Sequence, residues 1–135
     1  MGGGWSEIAP LVPDELRPYM LGFEWTHAGL WALWLPVESM AGAELAWQLE
    51  LRWWRRGERV FAISPAEVLR DPGADREQFE RVLAADLAFP VDVTLRRDRW
   101  FLLDGVHRLA KATLEGRSVI EVRRVPPSAR RLIAA

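Results

Sequence analysis

A chain of 135 residues, half of them hydrophobic, is large enough to form one buried core, and with 27% charged residues it is not a chain disordered along most of its length. The absence of cysteine excludes disulfides, thiolate metal sites and cysteine nucleophiles, and it agrees with a reducing compartment. The formal net charge is only −1, but residues 1–50 contain seven acids against one arginine while residues 51–135 contain 17 bases against 12 acids, so the second part of the chain favours anionic ligands.

No segment of the sequence predicts secretion or insertion into a membrane. The most apolar stretch, residues 20–36, contains Glu24 and His27 and ends at Pro36, so it falls short of the roughly 20 apolar residues of a membrane span. The first residues lack the basic region followed by an apolar stretch that is typical of a secretory signal. We therefore expect a cytoplasmic protein with no membrane partner.

The first part of the chain predicts an extension, a strand and a short helix. Residues 1–29 predict an irregular extension because helix-breaking prolines recur there, at Pro10, Pro13 and Pro18. Residues 30–35 predict the first strand, which a proline ends. Leu45, Leu49 and Trp53 recur at a spacing of four and predict a short amphipathic helix.

A second strand and two capped helices are predicted next. Residues 59–64 predict the strand, and Ser64, Pro65 and Glu67 have the order of an N-cap, a first-turn proline and a capping-box acid. Asp75 predicts the cap of the following helix, with its amide partner at Gln78. We expect that helix to end near Asp86 and to turn three apolar side chains inward, Phe79, Val82 and Leu83.

The rest of the chain predicts a hairpin followed by a helix and a strand. Apolar and polar residues alternate over residues 91–95, a charged turn follows, and residues 100–103 return as the second strand of the hairpin. Asp104 and Gly105 lead into a helical pattern that Gly116 ends, and the last strand stops at Pro126. The fold class that we predict is α+β, a single compact domain over residues 30–126 with a small mixed sheet and short helices, followed by a C-terminal tail over residues 127–135.

The junction at Asp104–Arg108 has the features of an anion site. A strand that turns through glycine into a helix leaves the first backbone N–H groups unpaired at the positive end of the helix dipole. Gly105 can adopt a positive φ, Arg108 offers a bidentate contact to phosphate, and His107 offers a donor that titrates near neutral pH. Asp104 has three readings: it caps the helix, it holds Mg²⁺, or it binds a substrate amine.

Other patterns allow a plain structural reading beside a functional one. Asp-Gly is a common turn from a strand into a helix, so the junction also fits a capped, solvated helix start. Trp53 and Trp54 lie among arginines, a combination used to bind single-stranded nucleic acid. In a chain with a net charge of −1 we favour the structural interpretation, in which the tryptophans pack inward and the arginines lie at a helix end or pair with acids. The two histidines are far apart and no cysteine is present, so we expect no structural zinc site.

The stretch "LLDGVHRLAKATLEGRSVIEVRRV", residues 102–125, resembles the signature of the ParB/sulfiredoxin superfamily. In that superfamily a strand leads into a D-G-x-H-R or G-G-C-H-R loop, which is followed by a helix beginning R-L-A and by another strand. The five loop residues from Asp104 to Arg108 match the D-G-x-H-R form, which is closest to that of free-serine kinases and of many uncharacterised ParB-like proteins. The resemblance extends over about residues 30–126.

The resemblance implies a nucleotide-binding protein. It implies that the phosphates of ATP, ADP or CTP bind at Gly105, Val106, His107 and Arg108, with Mg²⁺. It also implies catalytic roles for Asp104 and His107, and Glu38 resembles in position the base of the serine kinases, although it also reads as a surface glutamate in a loop.

Two functions follow as expectations from this resemblance. The first is a small-molecule phosphotransferase, whose partners are a nucleotide and a small-molecule acceptor. The second is a non-catalytic or CTPase-like module that senses nucleotide or contacts DNA through its arginines. Val106 stands where sulfiredoxins have their reactive cysteine, which excludes sulfiredoxin chemistry.

Overall fold

A computed structural model describes residues 5–135 and shows an α+β fold, as predicted. The described chain has helices α1 (Trp5–Ile8), α2 (His27–Trp31), α3 (Pro65–Arg70), α4 (Arg76–Ala84) and α5 (Val106–Leu114). Its strands are β1 (Val37–Ala41), β2 (Trp54–Arg56), β3 (Arg59–Ile63), β4 (Val91–Arg96), β5 (Arg99–Asp104) and β6 (Val119–Val125). Short 3₁₀ turns join several of these elements.

The central sheet is mixed and has the strand order β1-β6-β4-β5. Strands β4 and β6 are parallel, while the β1–β6 and β4–β5 pairs are antiparallel. Strands β2 and β3 form a separate hairpin. The register sets Asp92 opposite both Asp104 and Arg123, so three charged residues lie in one row across the sheet.

The predicted helix starts and the predicted hairpin are confirmed. Ser64 and Glu67 form a complete capping box at α3, and the Asp75 carboxylate accepts from the amide of Gln78 at α4. Residues Arg97 and Asp98 both have positive φ, 50° and 62°, at the turn between β4 and β5. Such left-handed pairs match the twist of a two-residue hairpin, so the turn forms where the charged residues predicted it.

The predicted first strand over residues 30–35 is wrong. Thr26 caps a helix instead, because its hydroxyl accepts from the amide of Gly29, and this helix, α2, buries Leu30 completely. Leu33 and Leu35 pack against a buried cluster and Trp34 between them is 98% exposed, but this segment forms no strand. The strand begins only after Pro36, at Val37.

The helix predicted around Leu45, Leu49 and Trp53 is also wrong. Two 3₁₀ turns, Gly42–Glu44 and Ala46–Glu50, occupy this region, and Trp53 lies beyond them. The buried side-chain amide of Gln48 is the physical reason, because it bonds the backbone of β5 and thereby ties this turn to the sheet edge.

The predicted inward stripe of α4 holds for two of its three residues. Val82 is fully buried and Phe79 packs against the main core, whereas Leu83 is 50% exposed. The helix ends at Ala84, before the predicted end near Asp86.

The segments at both ends of the described chain complete the core. Val12 and Leu16 are buried against Phe101 of β5, and Ile133 is buried in a cluster with Leu30. Within residues 5–135, no helix combines the length and the hydropathy needed to cross a membrane.

Candidate functional site

A cavity of about 970 Å³ opens where β5 ends and α5 begins. All five residues from Asp104 to Arg108 line it, as do residues of α2, α4, β4 and β6. The other lining residues are His27, Trp31, Trp53, Trp54, Arg81, Ala84, Ala85, Asp86, Phe89, Pro90, Asp92, Leu103 and Arg123. The structure therefore brings the predicted loop together with charged and aromatic side chains from distant parts of the sequence.

Helix α5 begins without a side-chain cap. Gly105 is its N-cap residue with φ 107° and forms no side-chain cap bond, whereas Thr26, Ser64 and Asp75 cap α2, α3 and α4. The first α-helical bond of α5 runs from the amide of Leu109 to the carbonyl of Gly105, so the amides of residues 106–108 precede the helical ladder. The reading of Asp104 as the cap is therefore wrong, and the unpaired N–H groups remain available to an anion.

Only glycine fits at position 105. A Cβ atom built there would lie 2.6 Å from Cγ1 of Val91, well inside contact distance, and the left-handed φ disfavours other residues in any case. The close packing of the loop on β4 holds the start of α5 against the cavity wall.

Asp104 connects α2 to α5. Its Oδ2 accepts from Nε1 of Trp31 at 2.9 Å and from Nη2 of Arg108 at 3.0 Å. Its Oδ1 lies 3.9 Å from Nε2 of His27 and accepts no hydrogen bond from the residues that the structure describes. Oδ2 thus connects α2 and α5 in the cavity wall, and Oδ1 can still accept a hydrogen bond.

Asp92 and Arg123 form a second acidic-basic pair that sequence reasoning missed. Asp92 is 3% exposed, and its Oδ1 accepts from Nε of Arg123 at 2.6 Å. Arg123 also donates to the carbonyls of Leu30 and Leu33, which holds the α2 segment on the sheet. Burial raises the pKa of Asp92, and Arg123 opposes that effect.

Apolar and polar residues alternate in the sequence of β4, yet Asp92 is buried like the valines on either side. The available signal was the isolated acid between two valines, together with an arginine pair in the last strand. Such charges inside apolar strands are often buried and paired.

His107 is neutral in this environment. Its Nε2 lies 2.8 Å from Oε1 of Gln78, and its ring stacks on Trp54 with centroids 4.3 Å apart. Burial, with a smaller effect of the Arg81 charge, lowers the pKa of His107 to about 4. The expectation that His107 titrates near neutral pH is corrected: the ring gains no positive charge there.

The arginines of the cavity differ in how they are held. Arg108 donates to the carbonyl of Pro90 as well as to Asp104, and its side chain is mostly buried. Arg81 is exposed on α4 and has no hydrogen bond or ion pair within residues 5–135. Arg108 is thus a fixed part of the wall, while Arg81 is the cation that is free to meet an anionic ligand.

Trp53 and Trp54 both pack inward. Nε1 of Trp53 donates to the carbonyl of Gln48 and its ring stacks on Phe101, while the buried Trp54 stacks on His107. This arrangement agrees with the structural interpretation, in which both tryptophans pack inward. Nucleic-acid binding through Trp53 and Trp54 stays a prediction, for which the two rings offer no exposed stacking surface.

Glu38 is not brought to the cavity. It lies on β1, where its Oε1 accepts from Nη1 of Arg124 at 3.2 Å, and it is absent from the lining. Three strand spacings of about 4.8 Å separate β1 from β5 across the sheet. Its position therefore agrees with the reading as a surface glutamate.

Comparison with protein-family models, with curated proteins and with solved structures finds no match to this chain. The assignment to the ParB/sulfiredoxin superfamily therefore stays a prediction made from the loop residues. Among the described residues, no three His, Cys, Asp or Glu side chains are grouped so that they could hold a metal ion.

Proposed function

We propose that this protein binds a nucleoside di- or triphosphate in the cavity and transfers a phosphoryl group from it to a small-molecule acceptor. The observation that carries the proposal is the uncapped start of α5, which opens onto a cavity of about 970 Å³ with arginine and tryptophan walls. Ligand cavities of roughly 300–1,000 Å³ take small molecules and cofactors, so the volume suits a nucleotide.

The phosphates would bind at the first turn of α5. The amides of residues 106–108 point their dipoles toward this end of the helix, and the dipole favours negative charge. Arg81 would add a charge-assisted contact from α4. Backbone donors and a free guanidinium together provide the cradle that a di- or triphosphate needs.

The nucleoside would pack on the aromatic wall. Trp31 is 61% exposed and Phe89 is 63% exposed, and both line the cavity. A planar base stacked on such rings excludes water from both surfaces. Exposed aromatic side chains beside an anion site support a nucleotide over a simple inorganic anion.

Asp104 is the residue of the lining best suited to the acceptor side of the reaction. Its Oδ1 can orient and deprotonate a hydroxyl group, or it can hold Mg²⁺, which is commonly bound through one or two carboxylates together with substrate phosphates. Bound Mg²⁺ would neutralise charge on the transferred phosphoryl group. Glu38 has no role in this proposal because it lies on the other edge of the sheet.

A binding module without turnover is the second candidate. Asp92 and Asp104 each pair with an arginine, and His107 is already bonded to Gln78, so these three ionisable groups of the lining have internal partners. These internal bonds occupy atoms that proton transfer to a substrate would need, which favours binding without turnover.

Thermal stability with added nucleotide tests the binding step. ATP, ADP, CTP and GTP are titrated with and without Mg²⁺, and a nucleotide at 100 times its Kd is expected to stabilise the fold by about 2.7 kcal/mol. Arg81→Ala should weaken the binding of this nucleotide about tenfold, because the substitution removes a charged contact. Arg76→Ala is the matched control, since Arg76 is exposed on the same helix and does not line the cavity. No stabilisation by any nucleotide would contradict the proposal.

Turnover separates the two candidates. With the tightest nucleotide, small hydroxyl and amino compounds are screened for phosphorylated product in the wild type and in Asp104→Asn, which keeps the shape of the side chain and loses its charge. Product that disappears in Asp104→Asn supports phosphotransfer, and loss of the Mg²⁺ dependence of binding in the variant would mark Asp104 as a metal ligand. Binding with no product from any acceptor favours the module.

A further inference from the structure

The ring of His107 is held by two residues from other elements. Gln78 of α4 is 2% exposed, and its Nε2 donates to the backbone carbonyl of Arg55 at 3.0 Å. Its Oε1 lies 2.8 Å from Nε2 of His107, and Trp54 of β2 stacks on the ring at an interplanar angle of 10°. These two side chains, Gln78 and Trp54, therefore determine both the plane and the rotation of the imidazole.

This geometry determines which ring nitrogen carries the proton. The Gln78 amide cannot be reversed, because reversal would set its oxygen against the carbonyl oxygen of Arg55. The atom that faces His107 is thus an acceptor, so Nε2 of His107 must donate. In a neutral ring Nδ1 then carries no proton and offers a lone pair.

The surroundings keep the ring neutral. His107 lies between Trp54 and the buried amide of Gln78. The other charged or titratable residues that line the same cavity are His27, Arg81, Asp86, Asp92, Asp104, Arg108 and Arg123. The carboxylate of Asp104 is bonded to Arg108 and Trp31, and no carboxylate within the described chain bonds the imidazole. Burial and the Arg81 charge both lower the pKa of His107, which agrees with the neutral form.

We propose that Gln78 is a positioning residue that holds His107 as a hydrogen-bond acceptor through Nδ1, and that the cavity therefore selects a phosphate compound with a hydroxyl or amino donor close to its phosphates. This inference rests on the proposed function, because it takes the first turn of α5 as the phosphate site. His107 lies in that turn, so the donor of the ligand lies within about one helical turn of the bound phosphate.

The tautomer is measured first, on the protein without ligand. Nitrogen-15 NMR distinguishes protonated from unprotonated ring nitrogens, and this chain has only two histidines, so each ring is assigned by one substitution. We expect the proton on Nε2 of His107 at pH 7 and no protonation of the ring above pH 5. A proton on Nδ1, or a ring that titrates above pH 6, would overturn the proposal.

Gln78→Leu tests the role of Gln78. It keeps a side chain of similar size and removes the acceptor, so the ring proton should no longer be confined to Nε2, and nitrogen-15 NMR should show both neutral tautomers of His107. If Gln78 had only a packing role, the proton would stay on Nε2 in the variant, and that result would overturn the assignment of Gln78.

Ligand selection is measured with ATP and with tripolyphosphate, which lacks the sugar hydroxyls and the base amino group of ATP. The variants His107→Asn and His107→Gln both lose the stack on Trp54, but Asn restores an acceptor near Nδ1 whereas Gln reaches the position of Nε2. We expect His107→Gln to weaken ATP binding about tenfold and His107→Asn to weaken it less than about threefold. The affinity for tripolyphosphate should change less than about twofold in either variant.

Equal weakening of ATP and tripolyphosphate in His107→Gln would overturn the selection of a donor. A complete lack of ATP binding by the wild type would remove the proposed function and the ligand part of the inference together. The NMR result distinguishes these failures, because it decides the tautomer and the role of Gln78 without any ligand.

Discussion

At the scale of single residues, Gly105 is where sequence and structure agree most closely. The sequence predicted a glycine with positive φ between a strand and a helix, and the structure has φ 107° at that position. What the sequence could not show is the side chain of Val91, which comes from another strand and closes the space beside the glycine. The loop is thus constrained both by its own backbone and by its neighbour.

Gly105→Ala should destabilise the fold by about 2–4 kcal/mol, because the left-handed backbone and the contact with Val91 both oppose a Cβ atom. Gly116→Ala is the matched control: it has φ 71° and nothing within 4 Å, so it should cost only about 1 kcal/mol. Urea unfolding of both variants gives the comparison. Equal losses would show that Val91 can move aside without cost.

The other loop residues show the limit of residue-level reasoning. His107 and Asp104 were predicted as functional from their residue types and order. Which of their atoms carry a proton or can still form a hydrogen bond depends on Gln78, Trp54 and Trp31. The hydrogen-bonding partners are distant in sequence: Gln78 lies 29 residues from His107, and Trp31 lies 73 residues from Asp104. Local pattern carries no information about such contacts.

At the scale of elements, local signals predicted well wherever a cap or a turn determines the backbone. The capping box of α3, the cap of α4 and the turn of the β4–β5 hairpin all formed where their residues indicated. The spacing of hydrophobic residues alone predicted the wrong elements over residues 30–53. The tryptophans and leucines of this region pack into several separate clusters. There the contacts across the fold decide the conformation.

Gln48 connects two elements in a way that the spacing of hydrophobic residues did not predict. Its fully buried amide donates to the carbonyl of Trp100 at 3.0 Å and accepts from the amide of Leu102 at 2.8 Å, as a neighbouring strand would. The outer edge of β5 is therefore paired at its centre by a side chain. An exposed strand edge is a site for unwanted association, and this pairing protects it.

Gln48→Leu should cost about 2–4 kcal/mol, because two backbone groups of β5 lose their partner in a buried position. Hydrogen exchange is the more specific readout: the amide of Leu102 should exchange faster, while the amides at the centre of β4, which has strands on both sides, remain protected. Unchanged protection of Leu102 would contradict the pairing.

At the scale of the whole molecule, the predicted extension takes part in the core. The carbonyls of Tyr19 and Met20 accept from Arg96 of β4, and Glu15 pairs with Arg52 at 2.8 Å. Leu16 is fully buried against Phe101. The segment before the first strand therefore packs against β5 and belongs to the folded core.

Leu16→Ala should lower the free energy of unfolding by about 2–5 kcal/mol, since it leaves a cavity beneath β5. Leu11→Ala is the control, because Leu11 is 58% exposed and should change stability by less than about 0.5 kcal/mol. Both are measured by urea unfolding followed through tryptophan fluorescence. If both variants behaved alike, the N-terminal segment would lie outside the cooperative unit.

The sequence by itself determined the α+β class, the starts of α3 and α4, the hairpin turn and the loop with its anion-binding backbone. The starts, the turn and the loop depend on residues within a few positions of one another. Only the tertiary structure decided what the loop faces. The row of Asp104, Asp92 and Arg123 and the exclusion of Glu38 from the cavity follow from strand order and register. The neutral form of His107 follows from its burial between Gln78 and Trp54. These properties arise from charges and burial brought together across the fold, which no local pattern encodes.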